Sequence, residues 1–422
     1  MPPSFRPSSN VIMPHAKFVL PALALLSLKF SAPAGAQELS RPLAQVPPAA
    51  SDTPKDDTEK PVPAVTKIED RGRMPVQFGL TLSGLYDDNI YDQPRGPNRV
   101  GDFIWSVAPA ISWSSSLVEG MENVVQLSYS PGFIFYQQNP ANNTVDQQGT
   151  LVYAHHGAKS DLVVSQQYTS VQNNAPDLGD LVKYQEYLTT ANFDYQLTGK
   201  LGLTLRAQQD ITNYDEGYDS SQWTGSAYFD YEALPKTTFG LGGLIGAADL
   251  VGPNQVFEQV NGRVLYNPTA KLSFNLTAGL EFRQTQGYGS SRMTPTFSLG
   301  LSYQPDDSTD LVLNAYRNYS YSARFFGDDY LTTGVSGSIT QRFCQRVYAS
   351  LSASFENAAY TDNLTNSGTD IGYNYFSVRA SVDYTPTRWC ELSLFYQYRE
   401  TVSSTVTAFS DDQAGFQSRF VY

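Results

Sequence analysis

The sequence predicts an all-β fold: a transmembrane, antiparallel up-and-down β-barrel of about 18 strands. Three observations predict it. Long segments alternate apolar and polar residues with period 2, these segments recur as hairpins, and the N-terminus reads as an export signal.

The alternation is clearest in "KLSFNLTAGLEFRQ", Lys271–Gln284. Leu272, Phe274, Leu276, Ala278, Leu280 and Phe282 interleave with Ser273, Asn275, Thr277, Glu281 and Arg283. Period 2 puts the two sets on opposite faces of one strand. Soluble strands run about 5–6 residues. A stretch of about a dozen suits a tilted strand that crosses a bilayer in about 9–11. The mean hydropathy is −0.33, and beyond the N-terminus no apolar run reaches about 18 residues, which excludes a helical membrane bundle. Alternating strands average to such a polar score. The 28 Tyr and 23 Phe suit a boundary where a ring has one greasy and one wet side.

The hairpins come next. "ANFDYQLTGKLGLTLRAQQD", "SAYFDYEALPKTTFGLGGLIG", "GRVLYNPTAKLSFNLTAGLEF", "SLGLSYQPDDSTDLVLNAY" and "RASVDYTPTRWCELSLFYQYR" share one plan: an alternating strand ending in Tyr, a short turn, a second alternating strand. Tyr195, Tyr231, Tyr266 and Tyr303 are 36, 35 and 37 residues apart, and Tyr384 follows after a copy that lacks the tyrosine. Short turns are read at Pro235-Lys236, Pro268-Thr269-Ala270, Pro305-Asp306-Asp307 and Pro386-Thr387-Arg388, where Pro presets φ for a corner. Longer connections, such as Asn89–Gly101, Asn173–Lys183 and Thr361–Ile371, carry Asp, Asn and Gly. Short turns at one end and longer loops at the other are how outer-membrane barrels are built. Segment centres from Leu82 to Phe416 number eighteen, with sixteen strands as the nearest alternative.

At the N-terminus, Lys17 precedes an apolar core, Phe18–Leu28, and Ala34-Gly35-Ala36 stands ahead of Gln37. This is the layout of a cleaved secretory signal. The expected organisation is therefore a signal peptide over 1–36, a disordered Pro-rich periplasmic linker over 37–74 and the barrel over 75–422. The expected location is the outer membrane of a Gram-negative envelope.

An open sheet edge cannot sit in lipid, so the sheet must close, with its apolar face outward. Interior candidates are then Arg206, Asp210, Glu281, Arg283, Arg379 and Arg399, with Asp194, Asp230 and Asp383 beside the repeated tyrosines as an acidic ring that would favour cations. Tyr195, Tyr231, Tyr266, Tyr303, Tyr384 and Tyr422 are expected to form a membrane girdle. Small residues such as Gly300 and Gly334 are read as widening the bore. Phe416, Phe420 and Tyr422 share one face of the last segment, a pattern resembling the C-terminal signal read by the barrel-assembly machinery.

Other chemistry is sparse. The 41 acidic residues exceed the 28 basic ones, the reverse of a nucleic-acid binder. His155 and His156 are adjacent and point to opposite faces of a strand, so they cannot grip one metal together. There is no Gly-x-Ser-x-Gly and no Cys-x-x-Cys. No enzyme activity, cofactor or metal site is expected. Cys344 and Cys390 stand at equivalent places in "RFCQRVY" and "RWCELSL" and are a candidate disulfide.

The tyrosine–proline hairpins, with "VLYNPTAKLSF" and "VDYTPTRWCELSLFY" the clearest, and the aromatic end resemble the β-barrel porin type 2 family over Pro75 to Tyr422. Its members often accompany exopolysaccharide export. The resemblance implies a porin-like channel associated with such export, with outer-membrane lipid, polysaccharide and periplasmic export components as partners. A general diffusion porin and a structural or adhesion barrel without transport are the alternatives.

Overall fold

The computed structural model describes residues 75–115, 122–175, 180–286, 291–361, 372–403 and 408–422. The predicted signal peptide and linker lie outside them. The described chain is β-structure throughout, apart from one 3-10 turn at Pro140–Asn142. The strands are β1 (Val76–Asp87), β2 (Asp102–Ser114), β3 (Asn123–Tyr136), β4 (Thr144–His156), β5 (Ser160–Ala175), β6 (Asp180–Gln196), β7 (Leu201–Tyr214), β8 (Ser220–Leu234), β9 (Thr237–Leu250), β10 (Gln255–Thr269), β11 (Leu272–Thr285), β12 (Ser291–Asp306), β13 (Thr309–Tyr321), β14 (Asp329–Cys344), β15 (Val347–Thr361), β16 (Gly372–Thr387), β17 (Cys390–Ser403) and β18 (Phe409–Val421). Every strand pairs antiparallel with its sequence neighbour, and β1 pairs with β18, so the sheet closes. All eighteen segment centres read from the sequence fall inside these strands.

The alternation decides the two faces. Leu241, Val260 and Leu394 are 67, 60 and 66 % exposed, while Asn261, Arg263 and Glu281 on the other face fall to 2–5 %. Side chains of the second set meet across non-adjacent strands: Arg263 on β10 donates to Thr204 Oγ1 on β7 at 2.9 Å. Only the concave side of a closed sheet allows that, so the polar set is interior. The girdle tyrosines Tyr195, Tyr231, Tyr266, Tyr303, Tyr384 and Tyr422 are all exposed. The outward face also carries polar residues, among them the cross-strand neighbours Gln166, Thr189 and Gln209 on β5, β6 and β7, and Glu258 on β10, which pairs with Ile245 and Phe282.

The short-turn rim is stitched by backbone. Carbonyls of Lys200, Lys236, Lys271, Ser308 and Arg346 accept from the N–H of Glu232, Asn267, Gln304, Arg342 and Thr385 on the next hairpin. Lys271 Nζ donates to Pro305 O at 2.7 Å, Arg346 Nη1 to Pro386 O at 3.0 Å, and Lys236 repeats the contact at Pro268. Three of the four turns differ from the sequence reading. Pro268, Pro305 and Pro386 lie within their strands, at register shifts between Tyr266 and Thr269, Tyr303 and Asp306, and Tyr384 and Thr387. The turn is the next pair of residues. A bulge leaves one residue outside the ladder, so a missing N–H there costs no hydrogen bond.

The two cysteines are free, Cys344 exposed and Cys390 buried, which corrects the disulfide expectation. Cys344 ends β14 and Cys390 begins β17, with β15 and β16 between them. Three ladder steps span about 14 Å, whereas a bridge needs Cα atoms within about 7 Å.

Candidate functional site

The interior is an array of charged and aromatic side chains laid against the wall, and glycines give them room. Arg263 on β10 crosses Gly240 on β9 to reach Asp230 on β8: its Nε donates to Asp230 Oδ1 at 2.6 Å, and its Nη2 bonds Oδ2. A Cβ at Gly240 would overlap both side chains. Tyr316 on β13 crosses Gly334 on β14 in the same way, and its hydroxyl donates to Glu356 Oε2 on β15 at 2.8 Å. Asn275 fills the space at Gly300. Gly300 and Gly334 therefore seat neighbouring side chains, as Gly240 does. This corrects the reading that Gly300 and Gly334 widen the bore.

Each candidate has a definite place. Asp194 and Asp230 belong to one patch, with Thr204 Oγ1 2.8 Å from Asp194 Oδ1 and 3.1 Å from Asp230 Oδ2. Asp383, on β16, accepts from Ser381 and Ser393. Seven strands lie between it and the strand of Asp230, so the three acids form one patch and one isolated site and not an even ring. Arg206 and Asp210 stand on the interior face of β7. Arg379 Nη1 donates to Gln397 Oε1 at 3.1 Å, and its guanidinium lies 4.1 Å from the Phe395 ring centroid. His155 and His156 bond different partners, Asn123 and Asp161.

Arg283 is the most connected of these residues. Nε donates to Glu281 Oε1 at 2.7 Å, and Nη1 to Gln255 Oε1 at 2.6 Å, to the Tyr321 hydroxyl at 3.3 Å and to Asp329 Oδ2 at 3.4 Å. Its guanidinium is 4.3 Å from the Tyr319 ring centroid and 4.5 Å from that of Phe257. Tyr319, Tyr321 and Asp329 share the outward parity of Leu311, Leu313 and Leu331, yet they touch an interior arginine. The cause is a displacement of the wall. Pairing of β12 with β13 ends at Phe297 and Arg317, although β12 begins at Ser291 and β13 continues to Tyr321. Pro295, two residues beyond the last pair, cannot donate to a ladder. Above that point β13 and β14 stay paired to Tyr321 and Asp329 and lean inward behind β11 and β12. Thr294 Oγ1 and the Tyr319 hydroxyl lie 2.7 Å apart.

The loop joining these strands extends over the interior. Tyr218 N donates to Ala323 O at 2.8 Å, and the Tyr218 and Phe326 rings meet edge to face at 5.6 Å. A Cβ at Gly252 would meet Gly327. Gly217 and Gly252 have φ of +134° and +146°, which L side chains avoid. The β13–β14 end thus reaches the β7–β8 and β9–β10 loops and narrows the long-loop mouth. Sequence reasoning found Arg283 and Glu281 but missed Tyr319, Tyr321 and Asp329. The available signal was Arg317: continued outward, the alternation would set this charge in lipid.

A second polar centre lies where the ring closes. Arg399 Nε donates to Asp411 Oδ2 at 2.7 Å, and its Nη2 reaches Asp92 Oδ1 at 3.4 Å; Asp92 and Asp411 have no solvent exposure. Asp92 belongs to the loop after β1. In that loop Asn89 Nδ2 donates to Ser410 O at 3.0 Å and Asp88 N to Asp412 O at 3.2 Å. Burial lifts the Asp88 carboxyl above its ordinary value, with the Asp412 N–H and Arg99 opposing the shift.

No family model matches the chain, and no curated protein matches it. Among solved structures, it is similar to the outer membrane protein OpdK of Pseudomonas aeruginosa, at 12 % identity over 82 % of this chain and 99 % of that one, TM-score 0.43. OccK5 (OpdH) of the same organism gives 9 %, 82 %, 98 % and 0.45. OccAB3 of Acinetobacter baumannii gives 12 %, 82 %, 99 % and 0.43. The fold rests on the strand register and not on these similarities.

Proposed function

We propose that the chain is a porin-like channel of a Gram-negative outer membrane that passes small hydrophilic solutes. The observation that carries this reading is the closed ring of eighteen strands with leucines and aromatics outside and hydrogen-bonded polar side chains inside. A closed ring is the form in which strands cross lipid with every backbone group paired, and eighteen strands enclose a channel where nothing fills it. The inturned β13–β14 end favours small solutes over a polymer. Association with exopolysaccharide export is the narrower reading, supported by the hairpin resemblance alone.

Conductance of the purified protein in planar bilayers tests the proposal. Discrete steps are expected, unchanged by an added acidic polysaccharide. A protein that inserts without conducting removes the channel reading, and block by the polysaccharide restores the export reading.

A further inference from the structure

We infer that the short-turn rim carries five copies of a binding site for anionic phospholipid headgroups of the periplasmic leaflet, each built from one cation and one girdle tyrosine. The observation is a pairing that the hairpin repeat keeps. Lys159, Lys200, Lys236, Lys271 and Arg346 stand just before β5, β7, β9, β11 and β15. The first residue of each of those strands pairs with a tyrosine on the next strand: Ser160 with Tyr195, Leu201 with Tyr231, Thr237 with Tyr266, Leu272 with Tyr303 and Val347 with Tyr384. The other three short turns have neither partner. Glu122, Ser308 and Trp389 stand at the cation's place, and His155, Gln341 and Phe420 at the tyrosine's. Cation and tyrosine are kept or lost together. The backbone does not require this, because the carbonyls of Ser308 and Trp389 accept from Arg342 N and Val421 N on the next strand as the lysine carbonyls do.

Both groups have donors to spare. All five cations are exposed, and none pairs with an acidic side chain among the described residues. Lys236, Lys271 and Arg346 donate to the carbonyls of Pro268, Pro305 and Pro386, each two residues past the tyrosine on the tyrosine's own strand. For a lysine that contact uses one of three ammonium protons, and it sets the charge beside the ring. The five tyrosines are exposed, and their hydroxyls make no hydrogen bond among the described residues. With strands about 4.8 Å apart and a rise of about 3.3 Å, the Cα atoms of each pair are about 6 Å apart. The two side chains can therefore converge on one acceptor group.

The tyrosine decides what the acceptor is. Its ring faces outward at the edge of the apolar band, where aromatic side chains sit at headgroup level. A solute in the bore has no use for an outward ring, which commits the site to lipid. A phosphodiester offers one oxygen to the hydroxyl and another to the cation, the second as a charge-assisted bond. A headgroup with net negative charge is favoured over a zwitterionic one, which brings a cation of its own. The attraction is about 1 kcal/mol for each Lys or Arg near an anionic lipid surface. The inference rests on the outward face lying in lipid, and insertion into nanodiscs tests that premise separately.

The test reconstitutes the barrel in nanodiscs of equal parts phosphatidylglycerol and phosphatidylcholine, releases it with its bound lipids, and reads them by native mass spectrometry. Wild type is expected to retain phosphatidylglycerol over phosphatidylcholine by about fivefold, the factor that about 1 kcal/mol gives. The variants K159Q/K200Q/K236Q/K271Q/R346Q and Y195F/Y231F/Y266F/Y303F/Y384F are each expected to lose that preference. All ten positions are exposed, which keeps both variants foldable, and heat-modifiable migration verifies this. Equal retention of the two lipids by wild type overturns the proposal. So does a preference that survives either set of substitutions. Displacement of the phosphatidylglycerol by soluble glycerol phosphate assigns the site to a water-borne anion and overturns it too. A barrel that fails to insert fails the channel reading, whereas one that inserts without sorting lipids fails this inference alone.

Discussion

The β-ladder stops short of the long-loop end both at β12/β13 and at the closing seam β1/β18, and the chain repairs the two places differently. At β1/β18, pairing ends at Asp87 and Gln413, and the loop after β1 takes over the free edge of β18 through Asp88, Asn89 and Arg99. The wall stays in line there. At β12/β13 the neighbouring β13–β14 loop instead bonds across the interior, its Ala323 O accepting from Tyr218 N. The wall folds inward until tyrosine rings stack on Arg283. A lapse in backbone pairing thus becomes a sealed seam or a constriction according to where the neighbouring loop makes its bonds.

Arg283→Ala should break the comparison most strongly. It leaves Glu281 buried without its cation and Asp329 with Arg292 alone, a loss of about 3–5 kcal/mol. Single-channel conductance should rise as the β13–β14 end is released, and thermal unfolding should shift down. Unchanged conductance would mean that this hairpin does not narrow the path. Asn89→Ala acts on the other seam. It removes side-chain bonds to Gln93 O and Ser410 O and one accepted from Gln93 N, a cost of about 1–3 kcal/mol. Stability should fall while conductance stays the same, and a conductance change would show that this loop also shapes the bore. Tyr319→Phe keeps the stack on Arg283 and removes the contact with Thr294, at about 1 kcal/mol. A small loss in denaturant midpoint is expected, without a conductance change. Lys271→Met removes one exposed donor at the short-turn rim. It should cost no more than about 0.5 kcal/mol, near the low end for a single hydrogen bond, and leave both seams as they are. A large loss in urea titration would show that the lysine contacts hold the rim more than the backbone stitches do.

Much of the architecture was legible because a strand in a two-faced environment must write that environment into every second residue. The eighteen segment centres, the outward leucines of β11 and the exposure of the hairpin tyrosines follow from that constraint alone. The interior candidates were legible as polar positions but not as partners. Asp230 reaches Arg263 because Gly240 lies between them, and a glycine in the sequence does not announce which side chain will lie over it. The proline turns were misplaced by a residue or two because a bulge and a turn both accommodate Pro. The cysteine pairing failed because equivalent places in two turns are neighbours in the repeat but not across the ladder.

By itself the sequence determined that the chain is β, how many strands it has, which side of each strand is wet, and that the sheet must close. Those are properties of a strand relative to its own axis. The tertiary structure alone decided where the wall departs from the cylinder and which charges meet. Alternation is unchanged when a strand moves bodily inward, and closure brings Asp92 and Arg399, more than three hundred residues apart, to hydrogen-bond reach.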